Sequence, residues 1–114
     1  MTGAPHKELH LLLDDSGAIV AFQEQGASWI GMLAFSSEDK ARHFMRASGL
    51  KASEIVTIDS TDDEAVAQLL RNVKRRAIRN MLLDLDYQTG RHIQVEFEGE
   101  RLGEARERQF QHHH

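Results

Sequence analysis

The sequence has no cysteine, one proline and one tryptophan. Without thiols there can be no disulfide, no thiolate nucleophile and no thiolate metal site, so stability has to come from packing. Aromatic residues make up 6% of the chain, too sparse and scattered for a platform on which unpaired bases would stack. No apolar run approaches the roughly 18 to 20 residues that a membrane-spanning helix needs. The opening MTGAPHKE lacks the apolar centre of a signal peptide. The formal charge is −4 at neutral pH and the isoelectric point is about 5.9, which argues against a surface that attracts nucleic acid as a whole. No phosphate-cradling glycine motif and no nucleophile elbow is present. These absences lead to the expectation of a cytoplasmic protein with no cofactor, no membrane partner and little case for nucleic acid.

What is present reads as a single domain. At 114 residues, 40% hydrophobic and 28% charged, the chain has room for one core. The most legible stretch is 28–50, SWIGMLAFSSEDKARHFMRASGL. Trp29, Gly31, Leu33 and Phe35 fall on one side of an extended chain and Ile30, Met32 and Ala34 on the other, the pattern of a central strand covered on both faces. Ser36 with Asp39 resembles a capping box. Ala41, Phe44, Met45 and Ser48 then recur at helical spacing, and Gly49 suits a left-handed helix end with Leu50 folding back on Met45.

Before this stretch, 1–7 reads as a loose arm. Leu9, Leu11 and Leu13 alternate along 8–14, and DDSG leads into a second strand over 18–24 and then the central one, an expected antiparallel meander. After it, Ile55, Val56 and Ile58 mark a short strand over 54–59 that should lie inside the sheet. Thr61 with Glu64 forms a capping box ahead of an amphipathic helix whose stripe is Val66, Leu69, Leu70, Val73 and Ala77. A fifth strand over 81–86, a turn YQTG and a sixth strand ending at Glu98 complete the expected order βββαβαββ. In that sixth strand Ile93, Val95 and Phe97 are apolar and His92, Gln94, Glu96 and Glu98 form a wet face. The fold class is α+β: a mixed, mostly antiparallel sheet of five or six strands with two helices mainly on one face. Leu33, Phe35, Phe44, Leu69, Leu70 and Leu83 are expected in one core. The domain runs 8–99, and 100–114 is a charged tail ending in three histidines, read as a tag remnant.

The hairpin, the apolar strand, the run LAFSSEDKARHF and the later MLLDLDYQTG together resemble the N-terminal domain of the enhanced-serine-sensitivity (SseB) family. In that family a strand ending in Phe-Thr/Ser precedes an acidic helix start. Here the matching positions are Phe35, Ser36, Ser37 and Glu38, with Ala41 and Phe44, in about a third of the domain. The resemblance implies a bacterial domain without known catalytic residues.

Three clusters invite chemical readings. Asp84 and Asp86 end an apolar strand at the spacing of a phosphatase nucleophile and its acid/base partner. That chemistry needs a cation held by further carboxylates, and a hydroxyl and a lysine from later strands, for which the chain after Asp86 is short. The structural alternative has Leu82, Asp84 and Asp86 sharing the less buried strand face, with Asp86 opening the turn. His6, His10, His43 and His92 show no metal-ligand spacing. His10 and His92 could meet across the sheet or stand in solvent on edge strands, and His43 is expected to be exposed. Ser16, Ser36 and Ser37 suit caps and turns. Arg71, Arg75 and Arg79 recur at i, i+4 and i+8 opposite the apolar stripe, a row able to meet an acidic partner or a phosphate backbone, or simply to be solvated. The reading this supports is a non-enzymatic domain acting through protein contacts, including contacts with a second copy. Its candidate contact residues are Arg71, Arg75 and Arg79, and it has no catalytic or metal residue. The competing readings are a small metal-dependent enzyme using Asp84 and Asp86 and a nucleic-acid accessory protein using the arginine row.

Overall fold

Residues 31–35, apolar at every position, form the strand around which the others assemble. The computed structural model describes residues 7–23 and 30–110. Ser28, Trp29, Gly26, most of the expected arm and the terminal histidines lie outside the described residues. Among the described residues there are seven strands and two helices. The strands are β1 (Glu8–Leu13), β2 (Ala21–Phe22), β3 (Gly31–Phe35), β4 (Glu54–Asp59), β5 (Asn80–Leu83), β6 (Arg91–Glu98) and β7 (Arg101–Gln109). The helix α1 (Glu38–Ser48) follows β3, and α2 (Asp63–Lys74) follows β4. The sheet runs β4-β1-β3-β5-β6-β7, with the short β2 beside β3. Only β3 and β5 are parallel. The α+β class holds, with a seventh strand beyond the five or six expected.

The expected meander forms at one end only: Leu13 bridges Ile19, with Asp14 N on the Ala18 carbonyl and Val20 N on the Leu12 carbonyl, while earlier in β1 the strand pairs directly with β3, His10 opposite Phe35 and Leu11 opposite Ala34. β2 pairs with the other end of β3, Ala21 opposite Met32. Among the described residues the strand over 54–59 pairs only with β1, so it lies at the edge of the sheet and not inside it.

The two helices do not share a face. Because side chains alternate along a strand, Leu9, Leu11, Met32, Ala34, Met81 and Leu83 meet Val66, Leu69, Leu70 and Val73 of α2 on one side. Leu12, Leu33, Phe35 and Leu82 meet Ala41 and Phe44 of α1 on the other. The single core expected for Leu33, Phe35, Phe44, Leu69, Leu70 and Leu83 is therefore two half-cores divided by the sheet. Gly31 permits close packing within the second: a methyl group there would stand 2.7 Å from Leu82 Cγ and 2.8 Å from Asn80 Oδ1.

Helix ends differ from expectation by one residue at each start. Ser37, not Ser36, caps α1, accepting from Lys40 N at 3.2 Å, and Gly49 ends it in the left-handed region with its N–H on the Met45 carbonyl. Asp62, not Thr61, caps α2, accepting from the amides of Glu64 and Ala65. Aspartate outcompetes its neighbour because Thr61 donates its hydroxyl to Asp59 instead, at 2.6 Å. α2 stops at Lys74, and Ala77, expected on its stripe, is an exposed residue at φ 63°. Ile78 takes the buried place. The segment expected as a charged tail forms β7 over Arg101–Gln109, after a turn at Gly99, and buries Leu102.

Candidate functional site

β3 and β5 run parallel, so their C-terminal ends emerge side by side and bring Ser36 to Asp84. The Asp84 amide donates to the Ala34 carbonyl at 2.9 Å, and the backbone there turns left-handed at φ 56°, which ends the strand before Asp84 can share its face with Leu82. Leu82 itself is fully buried. The Asp84 carboxylate accepts from Ser36 N and from Ser36 Oγ, each at 2.7 Å, and from Lys40 Nζ at 3.3 Å. Both its oxygens are thus engaged, and the three contacts tie the β3–α1 junction to the end of β5. A hydroxyl and a lysine do stand beside this aspartate, but they come from earlier in the chain and hold the carboxylate rather than face it across a gap.

Asp86 has a different task. It accepts from the amides of Gln88 and Thr89 at 2.9 and 3.3 Å, which organises the turn closed by Gly90 N on the Asp86 carbonyl. An open cleft of about 560 Å³ lies between Asp84, Asp86, Arg91, His92 and Arg108. Another, of about 440 Å³, lies between the same aspartates and Asp39, Lys40, His43 and Arg46. Among the described residues no three His, Asp or Glu side chains converge as a cation would require.

His10 and His92 neither meet nor face solvent. β3 and β5 stand between them, and both are buried. His10 Nδ1 lies 3.0 Å from Thr57 Oγ1. The His92 ring packs 4.5 Å from that of Phe110, which also stacks on Phe22, so the face of β6 expected to be wet is covered at this end. His43 is exposed, as expected, and Ser16 closes a turn by donating to Asp14.

The arginine row is not a row. Arg71 is on α2, but Arg75 is its C-cap and Arg79 lies beyond the helix. Arg71 Nη1 donates to Glu100 at 2.9 Å while its Nη2 lies 3.6 Å from Glu64, and the Glu100 bond raises its pKa above the usual arginine range. Lys74 donates to the Gly99 carbonyl and Arg76 to that of Ile19 at 2.6 Å. These cations brace α2 against the β6–β7 turn and the approach to β2. Arg75 and Arg79 are exposed.

The feature that sequence reading missed is at the edge of the sheet. β4 carries Ile55, Val56 and Ile58, all partly exposed, and its ladder with β1 runs unbroken from Glu54 to Asp59. Backbone groups of successive strand residues turn to alternate neighbours. Ser60 N donates to Lys7 O at 2.7 Å, so Ile58 and Val56 face β1 while Ile55, Thr57 and Asp59 face outward. The other edge, β7, is guarded by Arg101, Glu104, Arg106, Glu107 and Arg108 and by a register shift between Val95 and Phe97. Charges and bulges of this kind are how sheet edges avoid pairing. β4 has neither a bulge nor a lysine, arginine or proline, and its charges, Glu54 and Asp59, stand only at its two ends.

No family model, curated protein or solved structure matches the chain. Among the described residues no helix is long and apolar enough to cross a membrane.

Proposed function

We propose that this chain is a cytoplasmic protein-binding domain without catalytic activity, and that it binds by adding a strand at β4. The observation that carries this is the unguarded edge: three outward-turned backbone positions beside partly exposed Ile55, Val56 and Ile58. An added strand gains main-chain hydrogen bonds there, and its alternate side chains gain apolar contact. The resemblance of 35–44 to the SseB N-terminal domain is in keeping with a domain lacking catalytic residues. Arg71, Arg75 and Arg79 weigh less as contacts, since Arg71 is already paired with Glu100.

The test begins with capture of partners from the native cell and continues with the purified partner. Thr57→Lys places a charge on the edge and should abolish binding, whereas Arg75→Glu should leave it intact. The reverse pattern would return the contact to the arginines. The enzyme reading predicts instead that millimolar Mg²⁺ or Mn²⁺ raises the melting temperature, because a ligand of the folded state stabilises it. Superimposable melts are expected. A metal-dependent rise that Asp84→Asn removes would put the enzyme first.

A further inference from the structure

We infer that the strand completing β4 is β4 of a second copy, paired antiparallel about a two-fold axis through Thr57. This rests on the reading of β4 as a binding edge and names its occupant.

Two independent hydrogen bonds fix which residues face outward. One is Ser60 N to Lys7 O. The other is Leu33 N to Val20 O at 3.1 Å, which turns Leu33, and by alternation Phe35, toward the β1–β2 side. His10, opposite Phe35, then faces β3 and leaves Thr57, opposite His10, turned away from β1. The close approach of Thr57 Oγ1 and His10 Nδ1, 3.0 Å, suits such a non-bonded pair. In an antiparallel dimer outward residues must oppose outward residues. Centring on Thr57 achieves this for all three: Thr57 faces Thr57 of the second copy, and Ile55 and Asp59 face each other twice.

The side chains agree with that register. Val56 opposes Ile58 of the second copy, and Ile58 its Val56, on the face that carries α2, where both already pack against the core. Four aliphatic side chains then join the α2-side half-core of one copy to that of the other across the axis. Cross-strand aliphatic and Thr–Thr pairs are favourable, and like charges directly opposite are not. In this register Glu54 faces Ser60, and no like charges oppose. A slip of one residue in either direction would set positions bonded to β1 against outward ones, and in one direction it would also set Glu54 against Asp59, so the charges agree with the register that the backbone requires. β7 has no such option, since its register shift interrupts the edge. A two-fold contact closes on itself and consumes the exposed edge, which a head-to-tail contact would leave open at each end.

Sedimentation of the full chain across a concentration series tests this. The expected result is a concentration-dependent shift from 13.0 kDa to twice that mass. Thr57→Pro deletes an outward N–H that β1 does not use, a substitution edge strands tolerate. It should return the protein to monomer with unchanged circular dichroism. Thr57→Lys should do the same, whereas Arg106→Glu on β7 should leave the dimer intact. Should Thr57→Pro unfold the chain, Thr57→Lys and slowed amide exchange at Ile55, Thr57 and Asp59 with rising wild-type concentration decide the matter. A monomer up to about 1 mM, the range of the weakest specific complexes, would overturn the inference, as would a dimer that survives both Thr57 variants. A monomer whose captured partner is lost on Thr57→Lys overturns only the second copy and leaves the binding edge standing. A monomer with no such partner removes both.

Discussion

Short acidic side chains act here mainly on the backbone beside them. Asp14 accepts from the amides of Ser16 and Ala18, Asp62 from those of Glu64 and Ala65, and Asp86 from those of Gln88 and Thr89. Asp84 makes the same bond over a longer sequence distance, to Ser36 N. An Asp-x-Asp motif looks identical whether its carboxylates await a substrate or hold amides, because the difference lies in a left-handed φ at Asp84 that no residue type announces. The choice between Ser36 and Ser37 as cap was illegible for a related reason: which serine caps depends on where Asp84 arrives, 48 residues later. Asp59 offers a measurable case. The Thr61 hydroxyl and then the Thr61 amide hold its pKa below the ordinary aspartate value of 3.8. A carboxylate with a depressed folded-state pKa contributes stability at neutral pH, and that contribution is lost as pH falls below 3.8 toward the lowered value. Thr61→Val should move the Asp59 titration, followed by carboxyl NMR shifts, back up toward 3.8. An unmoved titration would mean the hydroxyl bond is absent in solution.

Elements were legible wherever one periodicity dominated a long window. α2 appears in place because Val66, Leu69, Leu70 and Val73 lie within a narrow arc and all become buried. Its C-terminal end was overrun, since Arg75, Arg76 and Arg79 are good helix formers and the stop is imposed from outside. Arg76 reaches the Ile19 carbonyl and Ile78 turns into the core. The sidedness of the helices was not legible, because β3 and β5 are apolar on both faces and fit a helix on either. The edge position of β4 was not legible either, because a β-branched composition is shared by central strands and by edges that bind. Leu70 is fully buried beneath the sheet, so Leu70→Ala should cost about 2 to 5 kcal/mol, as truncation of buried leucines does. Urea denaturation should show a lower midpoint with an unchanged slope. Equal midpoints would place α2 elsewhere.

At the scale of the whole molecule, the α+β class followed from the order of strands and helices, but the extent of the domain did not. RLGEARERQ has the composition of a solvated tail, and two features betray β7: Gly99 just before it, suited to a tight turn after β6, and Leu102 within it. A strand with six exposed charged or polar positions in nine gives no alternation to read, since its partner strand and not its own sequence supplies the order. Once paired, it anchors more than its composition suggests. Leu102 joins the half-core under α2, Glu100 holds Arg71, and Phe110 covers His92 and stacks on Phe22. A chain ending at Gly99 should therefore fail as an independent domain. Loss of Leu102 removes a buried anchor worth about 1.5 to 3 kcal/mol, and loss of the partly buried Phe110 removes a smaller one. The unpaired β6 edge, with Ile93, Val95 and Phe97 along it, would then be open to aggregation. Against a total stability of roughly 5 to 15 kcal/mol, that is enough to lower the melting temperature steeply or to prevent folding. Thermal melts of chains ending at residues 99 and 110 provide the comparison. The longer should match the full chain, and a shorter chain that melted with it would restore the domain boundary at 99 and make β7 an accessory strand.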